Sequence, residues 1–477
     1  MRIELVIISL YLFSLPVIGF LARKKLSDAE DYFLGARTVK WYAVTFSIVA
    51  AETSTLTFIS VPGLSYLTNM TFMQVVSGYI LGRIIVAKIF LPRFYEGKLQ
   101  TSYQFLEEKF GKRMRKTASV TFLFTRTAAD GVRLFATAIP LKFLLDIDYF
   151  WAIVIIAAIA LLYSLIGGMR SVIWVDVWQM FIYIGGAIAA GYFIVHMLAP
   201  DGLEKILTIA KQDGKLKIIN LGLGGSFADF FKQPYTLFGG ILGGMFLSMA
   251  SHGTDQLIIQ RLLSVGDLRN SQKAVVWSGI IVFAQMLLFL FIGLALYAFY
   301  GKLDVRADEI FVMFITSEMP KALTGIIIAG VFAAAISTIA GSINSMASST
   351  IYDLFFTGKI KRVIEKNELP FSRFFSLVWA LALSSAAMFF IYTSKSVVEI
   401  ALGIASFTYS GLLGVFLAGI YQKELSEKAA IVAFVLTILA MIYVALFSGI
   451  GWTWYVLIGV IIFNMFSLIL KRLKKFG

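Results

Sequence analysis

The chain contains no cysteine and only two histidines, His196 and His252. The absence of cysteine excludes disulfides, thiol nucleophiles and thiolate metal sites, and two histidines disfavour a metal site built from imidazoles alone. Charged residues are also scarce: they make up 15% of the 477 residues, whereas 59% are hydrophobic. Soluble domains rarely depart so far from average usage. The composition therefore indicates a membrane protein without thiol chemistry.

Apolar runs long enough to cross a bilayer as a helix recur along nearly the whole chain. Helices are expected because lipid offers backbone groups no hydrogen-bond partners. We predict an all-α polytopic membrane protein with about thirteen spans. Their approximate ranges are 4–22, 41–66, 70–92, 117–144, 149–167, 173–199, 235–260, 274–300, 321–352, 374–394, 397–421, 429–448 and 452–470.

Lysine and arginine are concentrated in alternate loops, at 23–40, 93–116 and 353–373 and in the C-terminal tail. Because basic loops stay in the cytoplasm, we expect the N-terminus outside and the C-terminus inside. The net charge of +14 then reflects topology and not nucleic-acid binding. The first span is not expected to be a cleaved signal peptide, since its basic cluster follows the apolar run.

The longest gap between spans, 200–234, predicts an external amphipathic helix with loops. No gap is long enough for a soluble catalytic domain, which argues against a membrane enzyme or a receptor kinase.

Residues 49–63, VAAETSTLTFISVPG, place Glu52 inside an apolar span, and Pro62-Gly63 is expected to interrupt that span. Transporters often break a helix at mid-membrane, where unwound carbonyls bind Na⁺ and free amides face the substrate. Intramembrane carboxylates are functional by default. The alternative is a packing face of small residues with Glu52 protonated or paired.

Residues 329–355 are rich in Ala, Ser and Thr, and Ala334, Ser337 and Thr338 lie on neighbouring faces of one helical turn. Their oxygens suit a hard cation such as Na⁺, although small residues also serve close helix packing. Asp176, after the Gly-Gly turn at 167–168, is a second acid in or near the membrane. It interacts favourably with a helix N-terminus or binds an ion.

Arg126, Asp130 and Arg133 share one helical face. They form a neutral structural ladder, or an unpaired arginine holds a carboxylate substrate or answers Glu52. Glycines at 239–244 predict a second interrupted helix before His252. That histidine either faces a substrate cavity or is a hydrogen-bonded interior residue.

In their order and spacing, six segments resemble the sodium:solute symporter family over roughly residues 28–425. The segments are DAEDYFLGAR, SIVAAETSTLTFISVPG, GVRLF, IGGMRSVIWVDVWQ, TDQLIIQRLLS and FAAAISTIAGSINSMASSTIYDLF. The resemblance implies a five-plus-five inverted repeat of the leucine-transporter type. The expected units are 1–40 (an extra N-terminal span and loop), 41–199 (first repeat), 200–234 (external linker), 235–421 (second repeat) and 422–477 (two extra spans and a basic tail).

The resemblance also implies the site residues. The family's common Na⁺ site matches carbonyls of Ala50 and Thr53 together with Ala334, Ser337 and Thr338, and Asp176 matches an acid of a second Na⁺ site found in some members. Expected substrate contacts are Glu52, Ser54, Thr57, Gln74, Arg133 and His252, with Phe58 and Tyr409 as walls or gates.

The function expected from this resemblance is Na⁺-coupled import of a small polar solute by alternating access, in the inner membrane of a prokaryote. An amino acid or other zwitterion or carboxylate is preferred because Glu52 and Arg133 could offer it opposite charges. The alternatives are H⁺ coupling, a sialic acid or sugar-type substrate, and a membrane sensor built on the same scaffold. Sugar symporters carry aromatic residues near Ser251 and His252, which this chain lacks. We expect no enzyme activity, no nucleic acid and no obligatory protein partner.

Overall fold

The computed structural model describes residues 3–22, 29–53, 55–97, 99–145, 147–224, 226–304, 307–355, 364, 367–392, 397–422 and 424–472. Within these ranges the chain is helical and contains no strand. The helices of the first half are α1 (Ile3–Ala22), α2 (Ala29–Leu34), α3 (Trp41–Glu52), α4 (Thr55–Leu67), α5 (Met73–Ile85), α6 (Leu91–Glu96), α7 (Gln104–Phe110), α8 (Lys112–Leu145), α9 (Tyr149–Met197) and α10 (Gly202–Gln212).

The second half continues from the linker to the C-terminal helices. It comprises α11 (Phe227–Lys232), α12 (Leu237–Gly253), α13 (Gln256–Leu263), α14 (Leu268–Tyr300), α15 (Ala307–Ser317), α16 (Lys321–Ser349), α17 (Glu368–Phe389), α18 (Val397–Tyr421), α19 (Glu427–Phe447) and α20 (Tyr455–Arg472). Two π-helical turns extend α5 and α16, at Val86–Phe90 and Thr350–Phe355.

Seven helices of the described residues are long and apolar enough to cross a membrane, and the bent pair α3–α4 makes an eighth. Three shorter apolar helices lie at Val6–Leu15, Tyr149–Leu162 and Thr408–Tyr421. The all-helical membrane class is therefore confirmed. The count of thirteen spans, the inverted repeat, the orientation and the unit boundaries remain predictions.

Helix α16 lies at the centre of the bundle. Of the most apolar 18 residues of the segment Lys321–Phe355, 89% are buried. The corresponding fraction is 28% for the peripheral α19. Helix α16 packs on α1, α3, α8, α9 and α17. A run of alanine, glycine and serine lets these neighbours approach closely: a Cβ on Gly325 would lie 3.0 Å from the Cα of Glu4 on α1.

Both predicted helix breaks exist, but neither lies where glycine and proline placed it. Pro62 is inside a continuous α4, and the first break falls at Thr53, with 61° between Trp41–Glu52 and Thr57–Leu67. Helix α12 runs unbroken through the glycines at 239–244, and the second break falls at Thr254–Asp255.

The glycines of α12 serve packing. A Cβ on Gly244 would lie 2.0 Å from the carbonyl oxygen of Val75, and one on Gly78 would lie 2.2 Å from that of Ile241. Helices α5 and α12 therefore touch backbone to backbone. At Gly168, by contrast, a true bend occurs: φ is 56° and α9 folds into two arms, as the Gly-Gly turn predicted.

We expect Gly244→Ala to destabilise the protein by about 1–3 kcal/mol, because the new methyl group overlaps the α5 backbone. Thermal unfolding of the purified protein in detergent measures this change. Gly185→Ala is the matched control, since its Cβ meets nothing within 4 Å and alanine is the better helix former. Equal melting temperatures for the two variants would contradict the close α5–α12 contact.

Candidate functional site

The first break leaves the C-terminal end of α3 inside the protein. Thr53 departs from the helix (φ −83°, ψ 92°), while its N–H still donates to the Val49 carbonyl at 2.9 Å. The carbonyls of a last helical turn lack the usual helical donors, and that turn includes Ala50. The Thr53 hydroxyl is held by the Gln285 amide, at 3.0 Å to Nε2 and 3.2 Å to Oε1. It is therefore the backbone oxygens here that remain for a ligand.

Helix α16 packs on α3, and its Ala334 lies beside this end of α3. Ser337 is fully buried and its Oγ has no hydrogen-bond partner, while Thr338 donates to the Ala334 carbonyl at 2.9 Å. Ala50, Thr53 and Ala334 line one cavity of about 10 Å³. The structure thus brings together three of the predicted sodium positions, while Ser337 and Thr338 lie one helical turn from Ala334. The unpaired Ser337 hydroxyl is the kind of oxygen that fits a hard cation, and the sodium site remains a prediction.

Glu52 forms an ion pair with an arginine that was not predicted from the sequence. Its carboxylate pairs with Arg83 of α5, whose side chain is fully buried and donates also to Ser278 at 2.7 Å. On its other side, Nε2 of His252 lies 3.8 Å from the same carboxylate oxygen and has no hydrogen-bond partner. Glu52 itself remains 21% exposed. The ends of α3 and α12 therefore meet at this carboxylate.

Arg133 does not meet Glu52, so the suggested pairing of these two residues is wrong. The partner of Arg133 is Asp130, at 3.0 Å, which also lies 3.2 Å from Arg126 and accepts from Ser342 at 2.5 Å. Arg133 keeps 27% of its side chain exposed, and its Nε is unpaired. The ladder along α8 is thus present, but its two arginines and one aspartate leave a net positive charge.

Asp255 connects this ladder to the second break. It caps α13 by accepting from the Leu257 N–H at 2.9 Å, and its other oxygen accepts from the Tyr409 hydroxyl at 2.6 Å. Arg126 lies 3.5 Å from that oxygen. The break between α12 and α13 is therefore held between α8 and α18, and Tyr409 acts through Asp255 in this arrangement.

Asp176 lies in the second arm of α9 and is fully buried. It accepts from Ser47 of α3 and from Arg261 of α13, the latter at 3.2 Å from Nη2. Its Oδ1 has no hydrogen-bond partner. The carboxylate is thus already paired with a buried cation. Its role in a second Na⁺ site remains a prediction.

Four other predicted substrate residues fall in different surroundings. Phe58 is buried among aromatic rings, 4.8 Å from that of Tyr183. Gln74 is buried and donates to the carbonyls of Thr71 and Tyr235, at 3.1 and 3.0 Å. Thr57 is partly exposed on α4, and Ser54 lies outside the described residues.

Four residues with contacts at the site were not predicted from the sequence: Arg83, Asp255, Arg261 and Gln285. A usable signal existed for Arg83, since an arginine within an apolar span is rare and needs a partner. Asp255 was also recognisable as an acid just before a helix, a strong N-cap pattern. Gln285 carries no such signal, because its contact with Thr53 depends on how α14 crosses α3.

Residues 32–437 match the sequence profile of the sodium:solute symporter family, and the chain belongs to that family. It is a Na⁺-coupled solute symporter.

Among its relatives, the sodium/sialic acid symporter SiaT of Proteus mirabilis is 25% identical, over 94% of this chain and 90% of the relative. The sodium-coupled monocarboxylate transporter 1 of Mus musculus is 26% identical, over 89% of this chain and 68% of the relative.

A solved structure confirms the fold. The substrate-bound outward-open state of a Na⁺-coupled sialic acid symporter superposes with a TM-score of 0.87 at 24% identity, covering 99% of this chain and 98% of that one. This neighbour has the leucine-transporter-like architecture.

We expect Arg83→Met to destabilise the protein by about 3–5 kcal/mol, because it leaves Glu52 partly buried without its countercharge. The double variant Glu52→Gln/Arg83→Met should recover much of that loss, since the two residues form one unit. Thermal unfolding measures both.

The matched control is Arg93→Met. Arg93 and its ion-pair partner Glu96 both lie on α6, and both are exposed. If the destabilisation in the double variant equals the sum of the two single changes, Glu52 and Arg83 do not stabilise each other.

Proposed function

We propose that the protein imports a small organic acid together with Na⁺, with the ion bound between α3 and α16 and the solute between the two helix breaks. Ala50, Thr53, Ala334, Ser337 and Thr338 are the proposed sodium ligands. Such transport requires binding of Na⁺ and solute and a conformational change of the protein, and it involves no covalent chemistry.

The observation that carries the sodium site is the unpaired hydroxyl of Ser337, one helical turn from Ala334, which lines the cavity at the broken end of α3. A buried hydroxyl without a partner costs free energy, so an ion there would stabilise the pair of helices. Na⁺ between them would also hold the α3 end in place. Since Glu52 stands at that end, the ion would set the solute site as well, which is a direct route to coupling.

The force that drives uptake depends on the charge of the solute. One charge moving through 100 mV contributes about 2.3 kcal/mol, enough to accumulate a neutral solute by roughly fifty-fold. For an anionic solute moving with one Na⁺ the transported charges cancel, and the sodium gradient supplies the force.

An organic acid is supported by the partly exposed Arg133 of α8. Its side chain is 27% exposed beside Asp130, and Glu52 and Thr57 at the first break are also partly exposed. Arginine suits carboxylates because its donors match their two oxygens. The names of several relatives, sialic acid and monocarboxylate transporters, refer to acids.

A zwitterion is less well supported than an acid, because the Glu52 carboxylate is already neutralised by Arg83. The favoured specific candidate is a sialic acid, since two sialic acid symporters match 94% of this chain. Amino acids remain the second candidate, with the carboxylate on Arg133.

We expect Ser337→Ala to raise the half-saturating Na⁺ concentration for solute uptake by about tenfold or more, since loss of a ligand to a charge costs roughly 1.5–3 kcal/mol. Proteoliposomes with an imposed Na⁺ gradient, at equal pH on both sides, measure it and also exclude H⁺ drive.

The control is Ser348→Ala. This serine is equally buried and unpaired on the same helix, eleven residues further along and on the same face. If both variants keep the wild-type Na⁺ dependence, the proposed sodium site is wrong.

We expect Arg133→Gln to raise the half-saturating concentration of an organic acid by about tenfold to a hundredfold, because it removes a charge-assisted contact. Lys428→Ala, at an exposed position on α19, should change it little. The solute is first identified by thermal-shift screening of sialic acids, monocarboxylates, amino acids and neutral sugars, with and without Na⁺. Unchanged affinity for the acid in Arg133→Gln would remove this arginine from the solute site.

A further inference from the structure

The cavity at the end of α3 has a second wall that the sodium ligands do not account for. It lies between α3, the second arm of α9, α14 and α16. Its lining is Ala50, Thr53, Gln179, Met180, Tyr183, Gln285 and Ala334. Three of these residues are proposed sodium positions, and Gln285 is engaged with Thr53. Gln179 and Tyr183 of α9 have no such role yet.

Gln179 and Tyr183 present unpaired polar groups in the protein interior. Their exposed fractions are 1% and 4%. Both the nitrogen and the oxygen of the Gln179 amide lack a hydrogen-bond partner. The Tyr183 hydroxyl lies near the Gln285 side chain but makes no hydrogen bond of good geometry with it. The two residues are four apart on α9, so they stand one above the other on the same helix face. Buried polar groups are normally hydrogen-bonded, so this cluster calls for a polar occupant.

The size and chemistry of the cavity fit one water molecule. A site that holds a water needs about 10–15 Å³ and two to four polar partners, and this cavity measures about 10 Å³. A second side chain could not enter it. The occupant must therefore be small, and it must be able to donate to the Gln179 oxygen and the Tyr183 hydroxyl.

We propose that this cavity holds a water molecule that is itself a ligand of the transported Na⁺, and that Gln179 and Tyr183 are the residues that position it. The proposal rests on the proposed sodium site. The water oxygen faces the ion, and its two O–H groups donate to Oε1 of Gln179 and to the hydroxyl oxygen of Tyr183. Hard cations commonly keep water among their ligands, so the ion would arrive without losing its whole hydration shell.

This arrangement joins α9 to the sodium site without a direct ligand from that arm. The five proposed protein ligands belong to α3, to its C-terminal end and to α16. The positioned water adds a third element, so sodium binding would draw the second arm of α9 against the other two.

The test compares Gln179→Leu, Gln179→Glu and Tyr183→Phe in the proteoliposome uptake assay. Gln179→Leu and Tyr183→Phe should raise the half-saturating Na⁺ concentration by about threefold to tenfold, while the solute half-saturation at saturating Na⁺ stays within about twofold. Preference for Na⁺ over the smaller Li⁺ should fall, because ligand number and cavity size set ion selectivity. Gln179→Glu keeps the acceptor oxygen and should bind Na⁺ at least as well as the wild type.

The control for Tyr183→Phe is Tyr300→Phe, whose hydroxyl is also buried and unpaired but lies outside this cavity. Wild-type Na⁺ dependence and ion preference in Gln179→Leu and Tyr183→Phe, beside an impaired Ser337→Ala, would overturn the water ligand alone. An unimpaired Ser337→Ala would overturn the sodium site and this proposal together. A parallel loss of solute affinity and of melting temperature without Na⁺ would show a packing role and also overturn it.

Discussion

Helices α3 and α12 end inside the protein, and the side chains around these ends pair with the polar groups exposed there. A broken helix in a membrane exposes carbonyls and N–H groups that lipid cannot satisfy. Here α3 ends at Glu52, whose carboxylate is held by Arg83 and lies next to His252 of the other broken helix. Asp255 caps the continuation of that second helix and is held in turn by Tyr409. Pairing at the breaks keeps the site polar inside an apolar bundle.

The two breaks are not satisfied to the same extent, and this difference bears on their roles. Each carboxylate oxygen of Asp255 accepts a hydrogen bond. These bonds stabilise the second break, between α12 and α13. At the first break Glu52 remains partly exposed, Ser337 has no partner and a small cavity persists. The first break is therefore where the proposed ion and solute would find polar groups without partners.

Much of the architecture was predictable from sequence because it rests on composition and order. Apolar runs predicted a helical membrane protein, and six ordered segments predicted the family, which the comparisons confirm. The positions of the breaks were not predictable from Pro62 or from the glycines at 239–244. Proline was tolerated within α4, and the glycines admit the α5 backbone. Glycine marks close approach as readily as flexibility, and sequence alone does not distinguish the two.

The partner of Glu52 was missed for a related reason: Arg83 and Arg133 are both arginines in apolar helices, and only the packed structure shows that Arg83 reaches Glu52. Arg261 is another buried arginine whose partner is set by helix packing. It is seated against Gly341, three residues and about 4.5 Å along the axis from Thr338. A permanent positive charge thus lies in the bundle interior beside α16, and Asp176 pairs with it at 3.2 Å. Removal of the Asp176 carboxylate would therefore leave a fully buried arginine without its countercharge.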